Sequence, residues 1–175
     1  TLSAAKQLRL EAGSQTTADN TDGGTGNLNI KAENVVIREP VTAANNMTIL
    51  AQNSIAPTSD LTSGGTMTLR AEKGAIGVRG DLQSGGDMEL LAYRYISLDG
   101  DAVSGGSMKI TTVPGHPLSD DTFSTGDFLA KGDILLYTDL FLKREVWIDN
   151  EGSLLLDGDQ RIESTNGRVT AEGFI

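Results

Sequence analysis

The phrase SGGTMTLRA (63–71) is followed by SGGDMELLA (84–92) and SGGSMKITT (104–112), so nine residues return in near-copy about every twenty positions. After the glycines, apolar and polar residues alternate. That is the period of a strand with one buried face, not of a helix. Working outward, the pattern apolar-x-apolar-x-small is met at Leu8-Leu10-Ala12, Leu28-Ile30-Ala32, Met47-Ile49-Ala51, Met67-Leu69-Ala71, Met88-Leu90-Ala92, Met108-Ile110-Thr112, Ile134-Leu136-Thr138 and Leu154-Leu156-Gly158, in steps of 20, 19, 20, 21, 20, 26 and 20 residues. A second apolar group follows in the units (Val35 and Ile37, Ile55, Ile76 and Val78, Ile96 and Leu98), and then a third (Val41, Leu61, Leu82, Val103, Phe123). Each unit therefore holds three short strands separated by turns.

A unit of this length cannot bury its apolar face alone and has to stack on its neighbours. The LxxLxLxxN signature is missing and nothing reads as a helix. The expected fold is all-β: a right-handed parallel β-helix with one ~20-residue unit per coil, equivalent strands ~4.8 Å apart and an interior of matched ladders. Met47, Met67, Met88 and Met108 form one such ladder, as core filler. Ser-Gly-Gly is expected at the corner before the first strand, where glycine accepts positive φ. Asn45-Asn46 fills the same corner one coil earlier. Arg9, Asn29, Thr48, Thr68, Glu89 and Lys109 point outward on a solvated face, with Glu89 beside Lys109.

Composition narrows the function. Twenty-four Asp and Glu against fourteen Lys and Arg give a net charge of -10, a field that repels phosphate backbones and anionic lipid and argues against nucleic-acid partners. No apolar run approaches eighteen residues, so membrane insertion is not expected, and no signal peptide is visible. Cysteine is absent, which removes disulfides, thiolate nucleophiles and Cys-based zinc sites. The organisation expected is a single β-helix segment over 1–175, excised from a longer protein, with an inserted loop at 113–131 and less regular coils over 132–175. Both ends fall inside the rhythm without a polar cap, so adjoining coils of the same long protein, or a neighbouring copy, are expected to cover them.

GGTMTLRAEKGAIGV (64–78) and GGDMELLAYRYISLDGDAVSGGSMKI (85–110) resemble the haemagglutinin repeats of filamentous haemagglutinin-type exoproteins, β-helical adhesins exported by two-partner secretion. The likeness runs from Leu8 to about Thr112. It implies an interior or distal segment of a long fibre, extracellular or on the bacterial cell surface, that acts as a virulence-associated adhesin. Through Arg79-Gly80-Asp81, it also implies integrin-type engagement of a host-cell receptor.

The residues themselves offer several candidate sites, each with a plainer alternative. Arg79-Gly80-Asp81 falls at a predicted turn, yet Gly100-Asp101 occupies the equivalent corner and Asp60 and Asp121 match the Asp, so the repeat explains all but Arg79. Asp60, Asp81, Asp101 and Asp121 stack carboxylates along one corner, which suits calcium sites, a glycoside-cleaving pair, or simple capping of turns by accepted backbone N–H bonds; the shared context favours capping. Asp19 and Asp22 lie in an acidic, glycine-ended loop that offers a second calcium position, without the full twelve-residue hand. His116, in the insertion, has no partner His or Cys and reads as an exposed loop imidazole or a binding residue of that loop. Tyr93, Tyr95, Tyr137 and Trp147, with Leu135 and Leu155, suit sugar stacking or partner docking, or else cover an edge. No Ser/His/Asp set, phosphate loop or dinucleotide fingerprint is present.

The expected function is thus a structural and adhesive segment without catalytic activity or an obligatory cofactor, binding a host or neighbouring-cell glycan or protein. A β-helical lyase or glycoside hydrolase is the alternative, and requires a cleft whose carboxylates break the repeat. A ligand-free spacer is the third reading.

Overall fold

Alternation over three faces requires three rows of inward side chains, and the chain has them. The computed structural model describes residues 1–10, 16–18, 26–113, 121–124, 126–142, 147–157, 160–162 and 168–171, with only the backbone at 3, 16–18, 121–123, 139–142, 147, 160–162 and 168–171. Every regular element among these residues is a strand, and every strand pairing is parallel. The chain is a β-solenoid.

The first face runs through 28–32, 47–51, Met67–Ala71, Met88–Ala92, Met108–Thr112, Ile134–Tyr137 and Leu154–Asp157. The second is built on 34–37, 54–57, Ile76–Val78, Ile96–Leu98, Asp121–Ser124 and Asp139–Leu142. Strands Leu28–Ile37 and Met47–Pro57 pass unbroken from one to the other, which joins these faces into a 14-stranded sheet. The third face is a separate 8-stranded sheet through Val41–Ala43, Leu61–Ser63, Leu82–Ser84, Ala102–Ser104, Phe128–Ala130 and Trp147–Asn150.

The interior is a set of ladders. Met47, Met67, Met88 and Met108 stand in direct register and are at most 1% exposed, so the methionine row is core. Ile49, Leu69, Leu90 and Ile110 form the next row, and Ala51, Ala71 and Ala92 the third. Thr112 and Thr138 extend the alanine row and satisfy each other through a buried 2.8 Å hydroxyl pair. On the third face Phe128 stacks on Ala102, a large side chain beside a small one, which keeps the row filled without overlap.

Three expectations of register need correction. Leu8 and Leu10 pair with Val35 and Ile37 on the second face, while Leu2 is the residue aligned with Ile30. The third inward row contains Ala102 and Phe128, not Val103 and Phe123; Val103 points outward and Phe123 is in register with Ser97. Alternation looks the same on all three faces, so it cannot tell one from another where loops differ in length. The interruption is also narrower than 113–131, because Asp121–Ser124 and Phe128–Ala130 are back in the ladders; 114–120 lie outside the described residues. Beyond it, Ile134 and Leu154 keep the register of Met108, so the coils after 132 are more regular than expected.

The glycines of the repeat serve a different purpose from the one expected. Of the described glycines only Gly26 has a positive φ, 64°. A Cβ on Gly64, Gly85 or Gly105 would instead overlap the carbonyl oxygen of Ala44, Gly64 or Gly85 in the preceding coil. Close coil-on-coil approach is therefore the constraint. Ala44 and Asn45, rather than Asn45 and Asn46, occupy this pair of positions one coil earlier, since Gly64 N–H donates to Ala43 and Gly65 N–H to Asn45. The preceding serines turn inward: Ser63 and Ser84 are 2% and 3% exposed and donate to the carbonyls of Gly65 and Gly86 at 3.1 and 2.8 Å.

Gly77 provides the control, because a Cβ there would meet nothing within 4 Å. Gly85→Ala is expected to cost ~1–3 kcal/mol through overpacking. Gly77→Ala should be neutral or stabilise by ~0.4–1 kcal/mol through the unfolded state. Equilibrium denaturation of the two variants beside the wild type checks the pair.

Candidate functional site

The three corners between faces obey different rules. The third corner, between third and first faces, is a constant three-residue turn at 44–46, 64–66, 85–87, 105–107, 131–133 and 151–153. The second, between second and third faces, is equally constant at 38–40, 58–60, 79–81 and 99–101. The first corner varies: 33–34, 52–54, 72–75 and 93–95 separate the inward residues of the first and second faces, and nine residues of sequence lie between Thr112 and Thr122, whose backbone aligns with Ile96. The uneven spacing of the repeat from Leu28 to Ile134 arises wholly there.

Side chains explain the constancy. At the second corner Asp60 accepts the backbone N–H of Asp81 at 2.9 Å, Asp81 that of Asp101 at 3.0 Å, and Asp101 that of Asp127 at 2.9 Å. At the third corner Asn27 accepts from Asn46, Asn46 from Thr66, Asp87 from Ser107, Ser107 from Asp133 and Asp133 from Ser153, at 2.8–3.2 Å. Each link needs a short acceptor at one fixed place, so an inserted residue breaks it. This second row escapes a reading of the apolar pattern, although its signal is visible: the residue before each Leu, Met or Ile that opens the first face is Asn, Asp, Ser or Thr.

Several candidate residues take their place in this scheme. Asp81 and Asp101 cap backbone amides, as the plainer reading has it, but Asp127 rather than Asp121 is the fourth member of the row; Asp121 aligns with Asp139 inside a strand. Arg79 and Asp81 are exposed, while Gly80 is pressed against Ser59 and Asp60, where a Cβ would overlap the backbone. The tripeptide is thus a flat rung of a stacked corner, not a projecting turn. Among the described residues no group of three or more His, Cys, Asp or Glu is arranged to hold a metal ion. Asp19, Asp22 and His116 lie outside the described residues.

The first corner carries the exposed aromatics. Tyr93 and Tyr95 are each 39% exposed and flank exposed Arg94; exposed Lys73 lies on the neighbouring coil, whose Gly74 carbonyl accepts the Arg94 N–H. Tyr137 is half-buried two coils further on, in register with Thr111 and Leu91, with Lys109 Nζ 5.8 Å from its ring centroid. Leu155 is 45% exposed on the following coil, in register with Leu135, and Glu89 and Lys109 approach to 3.7 Å on the same face. The backbone of Trp147 aligns with Arg168 on the third face.

A feature absent from the sequence reading is a groove of about 640 Å³ on the outside of the third face. Outward Gln83, Val103, Leu129 and Asp149 lie along it in register, and Gly85, Gly105, Lys131 and Glu151 line its corner side. No family model, curated protein or solved structure matches the chain.

The second-corner row yields a direct check. Asp101→Ala is expected to remove ~0.5–1.5 kcal/mol of stability by orphaning the Asp127 amide. Asp101→Asn should retain most of it, since Asn46 does the same work with an amide oxygen. Chemical denaturation with and without EDTA should give the same differences, because the carboxylates serve the backbone.

Proposed function

We propose that the chain is a segment of a filamentous haemagglutinin-type exoprotein, a stiff adhesive stretch of a secreted or cell-surface bacterial fibre. It contacts a host-cell receptor or a host or neighbouring-cell glycan. The repeat phrases supply the family likeness, and parallel coils supply stiffness. The observation that carries the adhesive reading is the first corner, where the repeat is released from both acceptor rows and where Tyr93, Arg94 and Tyr95 stand exposed together. Solenoids carry recognition on the face where units differ, and aromatic rings with a guanidinium give contact area with little entropy to lose.

The catalytic alternative has one feature in its favour: Lys131, Asp149 and Glu151 bring charge to a groove where earlier coils carry Gly85, Gly105, Gln83 and Val103. Binding by such a groove does not require bond cleavage, and the first corner has no part in it.

Replacing Tyr93, Arg94 and Tyr95 together by Ala should reduce adhesion of immobilised protein to cells by about tenfold or more while melting is unchanged, and Arg79→Ala should leave adhesion intact. Adhesion that survives the triple change overturns this assignment. Incubation with neutral and acidic polysaccharides should release no reducing ends; turnover lost in Glu151→Gln would replace the adhesive reading with the catalytic one.

A further inference from the structure

The third-face groove is built differently from the rest of the surface. Its outward row changes along the stack from Thr42 and Thr62 to Gln83, then to aliphatic Val103 and Leu129, and ends at Asp149. In parallel, the first residue of the third corner is glycine at 64, 85 and 105, which leaves room, and then becomes Lys131 and Glu151. The groove therefore crosses four strands and runs along the stack for ~15 Å, with an apolar middle and polar ends. Its volume is in the range of small-ligand sites.

The polar groups around it are uncommitted. Among the described residues, the side chains of Gln83, Lys131, Asp149 and Glu151 engage no hydrogen bond or ion pair, whereas Asp60, Asp81, Asp87, Asp101 and Asp133 all accept backbone amides. Structural use explains the latter set and leaves the groove's own set unexplained. An amide, two carboxylates and an ammonium around Val103 and Leu129 match a ligand with hydroxyls along its edges and C–H surface on its faces. Two carboxylates against one ammonium, on a chain of net charge -10, disfavour an anionic ligand.

We infer that this groove binds a neutral, unbranched glycan laid along the stack axis. Its sugar faces rest on Val103 and Leu129, and its hydroxyls meet Gln83 at one end and Lys131, Asp149 and Glu151 at the other. The site is separate from the first corner and stands or falls independently of the adhesive contact assigned there.

The test is a backbone-amide NMR titration of the whole chain with cellohexaose, xylohexaose and mannohexaose, and with hexagalacturonate as the anionic comparison. At least one neutral hexasaccharide should shift the amides at 83, 103, 129 and 149. Its affinity should fall about tenfold or more in the Asp149→Ala/Glu151→Ala double variant, and stay unchanged in Lys31→Ala, an exposed position on the first face. Circular dichroism confirms that the exposed-site variants remain folded. No shift with any neutral sugar, equal binding of hexagalacturonate, or indifference to the double variant overturns the inference.

Discussion

Parallel hydrogen bonding between consecutive coils is the constraint from which the rest of this structure follows. The strands of consecutive coils pair in parallel along all three faces, and at the corners the backbone of one coil lies within 2.7–3.3 Å hydrogen-bond reach of the next, so every coil has to trace nearly the same path as its neighbour. Congruence of this kind leaves little freedom. It excludes a Cβ where corner meets corner at Gly85 and Gly105, and it turns Ser84 and Ser104 inward to satisfy the carbonyls of the bend. It also places like beside like, which is why methionine meets methionine through four successive coils.

That regularity divides the surface into parts with different capacity for function. The two three-residue corners are occupied by their own amide-accepting side chains, so their acidic residues belong to the scaffold even where they form a conspicuous row. Among the described residues the first corner lacks such a row, and its length varies from 33–34 to 72–75. The third face keeps its backbone strictly in register yet changes its outward side chains from coil to coil. Departures from the repeat, not its recurring motif, mark the surface that the stacking of the coils leaves free to vary.

Much of this is legible in the sequence, and the exceptions have physical reasons. Alternation and the return distance suffice for strands, stacking and the methionine row, because burial imposes them on every unit. They do not assign the first and later units to faces: Leu8 and Leu10 have the same spacing as Leu28 and Ile30 but align with Val35 and Ile37. Asp121 has the spacing of the aspartate row, whereas Asp127 has its place, since the extra residues between Thr112 and Thr122 shift everything after them. Glycine in a corner suggests unusual φ, and only the position of the adjacent coil reveals that the missing atom matters for contact between coils. The groove has no local signature at all; its lining comes from four separate strands.

The acceptor rows at the second and third corners also have a direction. Asn27, Asn46, Asp60, Asp81, Asp87, Asp101, Ser107 and Asp133 each offer an oxygen to the coil that follows in sequence. A polypeptide that emerges amino end first therefore meets, at each new rung, a waiting partner on the rung already formed. Growth at the carboxyl end places each new backbone amide against an oxygen already fixed on the preceding rung, and growth at the amino end brings each new oxygen to an amide already in place.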